Sequence, residues 1–431
     1  MRRVSVFGVT PGMRLARPIR GPKGEMLLAG GMSLTVTHLR LLRERGVFLI
    51  DVQDGLTDDI EIDDVLSEEV RNKSLNAVRS IHSFLAKASG GMDTLPEEQA
   101  IQSLHSASFA RATRDQRPLH ALADAAMAIV DQILSTDTVL GLNTIRLYDD
   151  YTFQHSVGCA VAGVVIGRDL GWPREQLCYL ATGCLMHDIG KIFLDREVLN
   201  KPGRLTEEET LVMQEHSRLG YETVLQIFGP GVLSNHVPYQ HHEKQDGTGY
   251  PRGLRGDNQL PNPWLRNPPA TILPLAQVAS VADVYDALNS DRPYRPTMPP
   301  DQLIKLMSEM GGASLNGAIV ERFLATLSPF PVGSEVMLSG PAALHACKGV
   351  VLALNRNAAR RPVVRVLFDA LGNQLTPFEV NLLEAPEVEI QSTLICAVGA
   401  LTPLAPEEGV AMLQVADVAA RQEMASPSIC G

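Results

Sequence analysis

Two short runs carry the residue types best suited to chemistry. One is His187-Asp188-Ile189-Gly190-Lys191; the other is His241-His242-Glu243-Lys244-Gln245-Asp246-Gly247-Thr248-Gly249-Tyr250-Pro251. Adjacent ionisable pairs are costly to bury unless paired or bound to a metal. Here they stand among apolar residues of helical spacing, with His155, His216 and Asp283 completing the set. Five of the chain's 11 histidines belong to it, so chance scatter explains it poorly. Histidine and carboxylate donors without thiolates suit a borderline transition metal such as Fe, Mn, Co, Ni or Zn. Seven candidate ligands (His155, His187, Asp188, His216, His241, His242 and Asp283) are too many for one ion, and a carboxylate such as Asp188 can bridge two. Two ions about 3.5–4 Å apart can hold a bridging hydroxide, orient a phosphodiester and neutralise the leaving oxygen of an in-line displacement. Lys191, one turn after Asp188, would reach a non-bridging phosphate oxygen, and Arg292 and Arg295 could add charge-assisted contacts. Singly, each feature is ordinary: a lone helical His is core or surface, and Gly247-Thr-Gly249 is a turn. The ordered conjunction is what implies a metal centre for phosphate chemistry.

Consecutive helices must position these residues. Phe153 to Leu170 reads as one, with His155 in its first turn and Gly171 at its end. Pro173 opens the next, which leads through Leu177, Leu180 and Leu185 to His187. Thr206-Glu207-Glu208-Glu209 matches a capping box at the start of the helix carrying His216. A further helix leads into His241-His242, where Pro238 is expected to kink or tighten it. Gln277 to Leu288 presents Asp283, and Pro299 to Leu327 adds two helices. Upstream, Leu119, Leu122, Ala126, Ile129, Val130 and Ile133 form an apolar helical face. The segment 65–113 has helical periodicity broken at Gly90-Gly91, and its His82 and His105 read as isolated, partly exposed helix residues. Residues 1–55 are a small β-rich region with one helix burying Leu39, Leu41 and Leu42, and 56–145 a helical linker or regulatory segment. Strand-like runs return at Ser334–Leu338, Gly349–Leu354 and Val363–Phe368, so 331–431 is a small β-rich region ending in a weak helix and a flexible tail.

Composition narrows the classes. Hydrophobic residues at 45% and charged ones at 20% describe an ordinary globular chain. A net charge of −11 argues against binding a nucleic-acid polymer, so an anionic substrate needs local cations. The chain lacks a signal-like apolar core near Met1 and any run able to span a bilayer, which points to the cytoplasm and no membrane partner. Six cysteines show no chelating spacing and read as free buried thiols.

Across about residues 150–330 the chain resembles HD-GYP domain proteins, bacterial members of the HD phosphohydrolase superfamily. The motifs are His155, His187-Asp188-Ile-Gly-Lys191, His216, His241-His-Glu-x-x-Asp-Gly-x-Gly-Tyr-Pro251, Ala282-Asp283-Val-Tyr-Asp286-Ala-Leu and Ser290-Asp-Arg-Pro-Tyr-Arg295. The resemblance implies a mainly α fold, with an HD-type helical bundle over 146–330 between the β-rich ends. It implies a phosphodiesterase that hydrolyses cyclic di-GMP to pGpG or GMP with iron or manganese. His155, His187, Asp188 and Asp283 would surround one ion and His216, His241 and His242 the second, with Asp188 between. Lys191, Arg295, Tyr250 and Arg292 would contact phosphate. Some relatives carry a Glu for a third ion where this chain has Tyr151, so two ions are expected. A Pro-rich insertion around Leu260–Pro269 either packs on the bundle surface with Trp264 filling a notch, or forms a lid with Trp264 offering a face to a guanine. Other readings are a hydrolase of another cyclic dinucleotide or a nucleotide, and a low-turnover adaptor binding GGDEF domains through the Gly-Tyr-Pro loop. A homodimer is compatible with the sequence.

Overall fold

The computed structural model describes residues 1–393 except 21–25, 46, 48, 63, 137–150, 202, 265–269, 290–299 and 356–357. Arg292, Arg295, the middle of the Pro-rich insertion and the expected terminal helix lie outside the described residues.

Short apolar runs broken by Pro and Gly make the first β unit. β1 (Arg2–Ser5), β2 (Arg14–Leu15), β3 (Ile19–Arg20), β4 (Met26–Leu28), α1 (Val36–Glu44) and β5 (Leu49–Gln53) follow in order. The main sheet is β1-β5-β2, antiparallel, with Arg3 opposite Asp51. Val4, Val6, Leu15, Leu39, Leu42 and Val52 pack together beneath it. Leu41 is 43% exposed, correcting its expected burial. Only Leu39 and Leu42 lie on the buried face of α1.

Helices then dominate. α2 (Glu68–Ser89) is capped by Ser67 and stopped by Gly90, whose φ of 55° suits glycine. α3 (Glu97–Leu104), α4 (Ala107–Ala112) and α5 (Arg117–Ser135) follow. α6 (Tyr151–Asp169), α7 (Arg174–Met186), α8 (Arg196–Leu199), α9 (Glu207–Phe228), α10 (His236–Gln240), α11 (Pro274–Asn289), α12 (Pro300–Met310) and α13 (Gly317–Thr326) complete the bundle. The capping box at Thr206 and Glu209 is formed. Pro173 is the N-cap of α7, one position before the helix proper. Pro238 falls in the first turn of α10, where no intrahelical N–H is required, so it neither kinks nor breaks that helix. One hydrophobic cluster runs from Leu66 to Leu327, so the apolar faces of α2 and α5 share a core with α6, α7, α9 and α11.

The chain ends in an antiparallel sheet of order β10-β6-β7-β8-β9. β6 (Glu335–Ser339), β7 (Lys348–Ala353) and β8 (Val363–Phe368) coincide with the strand-like runs. β9 (Gln374–Asn381) and β10 (Glu389–Thr393) did not stand out in the sequence: Pro377 interrupts β9 and its face is largely exposed. Among the described residues no helix is long and apolar enough to cross a membrane.

Candidate metal centre

His155 sits one turn into α6 and faces α11, which presents Asp283 and Asp286 on one side because they are three residues apart. His155 Nε2 lies 3.0 Å from Asp283 Oδ1, and Nδ1 lies 2.8 Å from Asp286 Oδ2. α7 ends at His187, and Asp188 leads into a 3-10 turn, Ile189–Phe193, that carries Lys191. This turn lies directly against α9. A Cβ on Gly190 would overlap the carbonyl of His216, so only glycine lets the His-Asp pair approach the helix bearing His216. α10 delivers His241 at its C-terminal end, followed by His242. The Gly-Tyr-Pro turn folds back on this end: Tyr250 N donates to the His242 carbonyl, and the Tyr250 ring stacks on His242 at 4.7 Å. Gly249 is required there too, since a Cβ would strike the backbone of Glu243 and Lys244. Buried Glu243 accepts from the amides of Arg252 and Leu254 and fixes the far side of the turn.

The ring orientations fit a cation. His187 Nδ1 faces the Cys184 carbonyl at 2.8 Å, and His216 Nδ1 faces the Met213 carbonyl at 2.6 Å. His241 Nδ1 lies 3.0 Å from the Pro238 carbonyl. A carbonyl can only accept, so each Nδ1 carries the proton and each Nε2 presents a lone pair inward. Two such acceptors, on His216 and His241, stand 3.4 Å apart, an unfavourable meeting without a cation between them. The buried Nε2 atoms of His187 and His242 have no hydrogen-bond partner among the described residues. Asp188 Oδ2 lies 3.2 Å from His187 Nε2. Asp188 sits between the two groups: its Oδ1 is 3.6 Å from His216 Nε2 and 3.8 Å from His241 Nε2, while Oδ2 faces His187 and Lys191. Its burial opposes ionisation, but His187, Lys191 and His216 hold the carboxyl well below the usual range. Asp283 is likewise lowered against the cost of burial, chiefly by His155. Burial, reinforced by His187 and His216, lowers His241 to about 3, and burial holds His242 well below its ordinary value. Burial thus favours neutral imidazoles at His241 and His242, and the neighbours favour ionised carboxylates, the states metal binding requires. At His187 the cost of burial is outweighed by Asp188, which raises its pKa.

All seven expected ligands therefore converge. Donor atoms of His155, His187 and Asp283 cluster with Cys159; His216, His241 and His242 form a second group; His187, Asp188 and His241 join them. Lys191 is buried and donates to Asp188 Oδ2 at 2.9 Å, so its charge is applied first to the carboxylate. Trp264 is 62% exposed, while the insertion is anchored by the Trp172 indole N–H donating to the Pro261 carbonyl. His105 is partly exposed, as expected, but not isolated: its Nε2 lies 2.8 Å from Glu222 Oε2. His82 is not exposed: it is buried, packs edge-on against Phe153 at 5.2 Å, and neither ring nitrogen has a partner among the described residues. The sequence held a signal, since His82 lies one residue after Ile81 and three before Leu85 on the apolar face of α2. Asp286 and Cys159 were also missed as neighbours of the centre. Both occur at helical spacing from expected ligands, Asp286 three after Asp283 and Cys159 four after His155.

Residues 144–319 match the family model described as HD domain. Residues 144–319 thus carry an HD domain, and its His/Asp cluster is compatible with divalent metal binding. It is 31% identical over 273 residues to a cyclic di-GMP phosphodiesterase of Pseudomonas aeruginosa, covering 62% of this chain and 61% of that protein. Over 178 residues it is 35% identical to a 3'3'-cGAMP-specific phosphodiesterase of Vibrio cholerae, 41% of this chain and 38% of the relative. It is also 35% identical over 169 residues to a cyclic di-GMP phosphodiesterase response regulator of Xanthomonas campestris, 38% of this chain and 40% of that one. The chain thus spans less than two thirds of the length of each.

Proposed function

We propose that this chain is a metal-dependent phosphodiesterase that opens cyclic di-GMP to pGpG, GMP or both. The observation that carries this reading is Asp188, a buried ionised carboxylate set between two groups of inward-facing imidazole donors. The names of the relatives support the substrate class. His155, His187, Asp188 and Asp283 would hold one ion and His216, His241 and His242 the other, with iron or manganese as the pair. Two such ions supply an ionised water near neutrality and neutralise the leaving oxygen. The protein's part is positioning. The Nδ1–H bonds fix the imidazoles, Asp188 sets the spacing, and Lys191 steadies Asp188 while lending charge to a phosphate oxygen. Tyr250 lines the edge of the centre against His242 and would contact the substrate, joined by Arg292 and Arg295. The turn that follows exposes Pro251 and Arg252, where a GGDEF-domain partner would dock. We assign α2–α5 to the same folding unit as the HD helices, on the strength of their shared core.

The relative specific for 3'3'-cGAMP favours a second substrate within the same class. The deciding experiment is anaerobic purification with metal analysis, followed by turnover of cyclic di-GMP and 3'3'-cGAMP in parallel. Preferential, metal-dependent hydrolysis of cyclic di-GMP is expected. Preference for 3'3'-cGAMP replaces the substrate and keeps the mechanism, and full activity after exhaustive chelation overturns the mechanism.

A further inference from the structure

Two buried cysteines lie near the centre, and their surroundings differ. Cys184, on α7, contributes its carbonyl to His187, and its thiol lies beside Gly163 on the facing helix. It is not among the clustered donors. Cys159 is four residues after His155 on α6, so both side chains leave the same face. Its Sγ stands 3.6 Å from His155 Nδ1, 3.7 Å from His155 Nε2 and 4.0 Å from Asp283 Oδ1. A structural cysteine is packed by carbon and behaves as a small hydrophobe. Cys159 belongs to the apolar core, as Cys184 does, but its Sγ also borders the nitrogens and carboxylate of the first ligand group, to which the unpartnered Nε2 of His187 belongs.

The donor atoms of His155, Cys159, His187 and Asp283 all lie within 4.8 Å of one another. A nitrogen and a sulfur bound to one ion at about 2.1 and 2.3 Å are at most about 4.4 Å apart, and about 3.6 Å apart at a tetrahedral angle. The separations of Sγ from His155 Nε2 and Asp283 Oδ1 fall inside that span.

We propose that Cys159 is a thiolate ligand of the ion held by His155, His187 and Asp283. This rests on reading the cluster as a metal centre, and not on which dinucleotide it hydrolyses. On binding, the S–H bond breaks, a sulfur–metal bond forms, and the proton leaves to water. The first site then has a soft donor that the second site, His216, His241 and His242, lacks. The two sites differ in preference as a result, the first favouring Fe(II), Co(II) or Zn over Mn.

The test titrates Co(II) into the metal-free full chain and follows both bound cobalt and the near-ultraviolet thiolate-to-cobalt charge-transfer band. The expected result is a band that grows with the first equivalent, is lost in Cys159→Ser and Cys159→Ala, and persists in Cys184→Ser. If a Cys159 variant does not fold, absence of the band in the wild type still overturns the proposal, and its persistence in Cys184→Ser supports it. Bound cobalt without the band overturns the thiolate while leaving the metal centre standing. A band lost in Cys184→Ser and kept in Cys159→Ser also overturns it. Failure of the folded wild-type chain to bind any cobalt overturns the centre and the ligand together.

Discussion

Asp188 is the residue on which both donor groups depend. Asp188→Ala is expected to reduce turnover to background and to lower bound metal, while the helices keep their fold through their own apolar faces. Far-ultraviolet circular dichroism beside metal analysis checks both parts. Lys191→Ala removes the ammonium from Asp188 Oδ2. A loss of charge-assisted stabilisation of this kind lowers kcat by about 10²-fold. Retained metal with that fall supports a phosphate contact; parallel loss of metal makes Lys191 a support for Asp188 alone. His82 gives a prediction in pH. Burial lowers its pKa to about 4 from an ordinary 6.5. Between these values the unfolded chain binds the extra proton, so stability is complete above about pH 6.5 and falls as the pH drops towards 4. The difference is on the order of 3 kcal/mol. Urea unfolding of His82→Leu across this window should show a shallower acid loss than the wild type; equal slopes would refute it. The seven donors were legible in the sequence because their types are rarely buried without cause. His82 was misread although it lies beside Ile81 and three residues before Leu85 on the apolar face of α2, because a lone helical His is ordinarily partly exposed.

Elements decide whether the donors meet. The Ile189–Phe193 turn touches α9 so closely that Gly190 has no room for a side chain. Gly190→Ala should push His187 and Asp188 away from His216, costing metal from the second site before it costs the fold. The check is metal stoichiometry against thermal stability; two ions at wild-type affinity in the Ala variant would show that the contact relaxes freely. Helix order and the Thr206 cap were readable from periodicity and capping chemistry. The packing of α2 onto the turn carrying Lys191 was not, because contact between distant helices leaves no local pattern. β9 was hidden for a different reason: its exposed face and Pro377 remove the alternation that marks a strand.

At the scale of the whole molecule, the N-terminal β unit is joined to the segment that opens and carries the β6–β10 sheet. The Arg3 amide donates to the Gly333 carbonyl, and the amino terminus donates to the carbonyls of Thr57 and Ile60. Arg2 pairs with Asp54 and Glu335, and Arg365 clasps Asp59 with both terminal nitrogens. The pairs of Arg365 with Asp59 and Arg2 with Glu335 are partly exposed and contribute little each. Arg2 with Asp54 is largely enclosed, and Arg3 and Asp51 are both buried, oppose each other across β1 and β5, and place Arg3 Nε 3.1 Å from Asp51 Oδ1. Removing one member of a buried pair strands the other charge, at about 3–5 kcal/mol. Asp51→Ala should therefore lower the urea midpoint strongly, while the double change Asp51→Leu with Arg3→Met restores most of it by removing both charges. Metal bound per folded molecule should not change in either variant, because the apolar cluster under β1 and β5 is separate from the one surrounding the donors. A loss of metal in the folded double variant would mean that the joined ends influence the centre, and would overturn this separation.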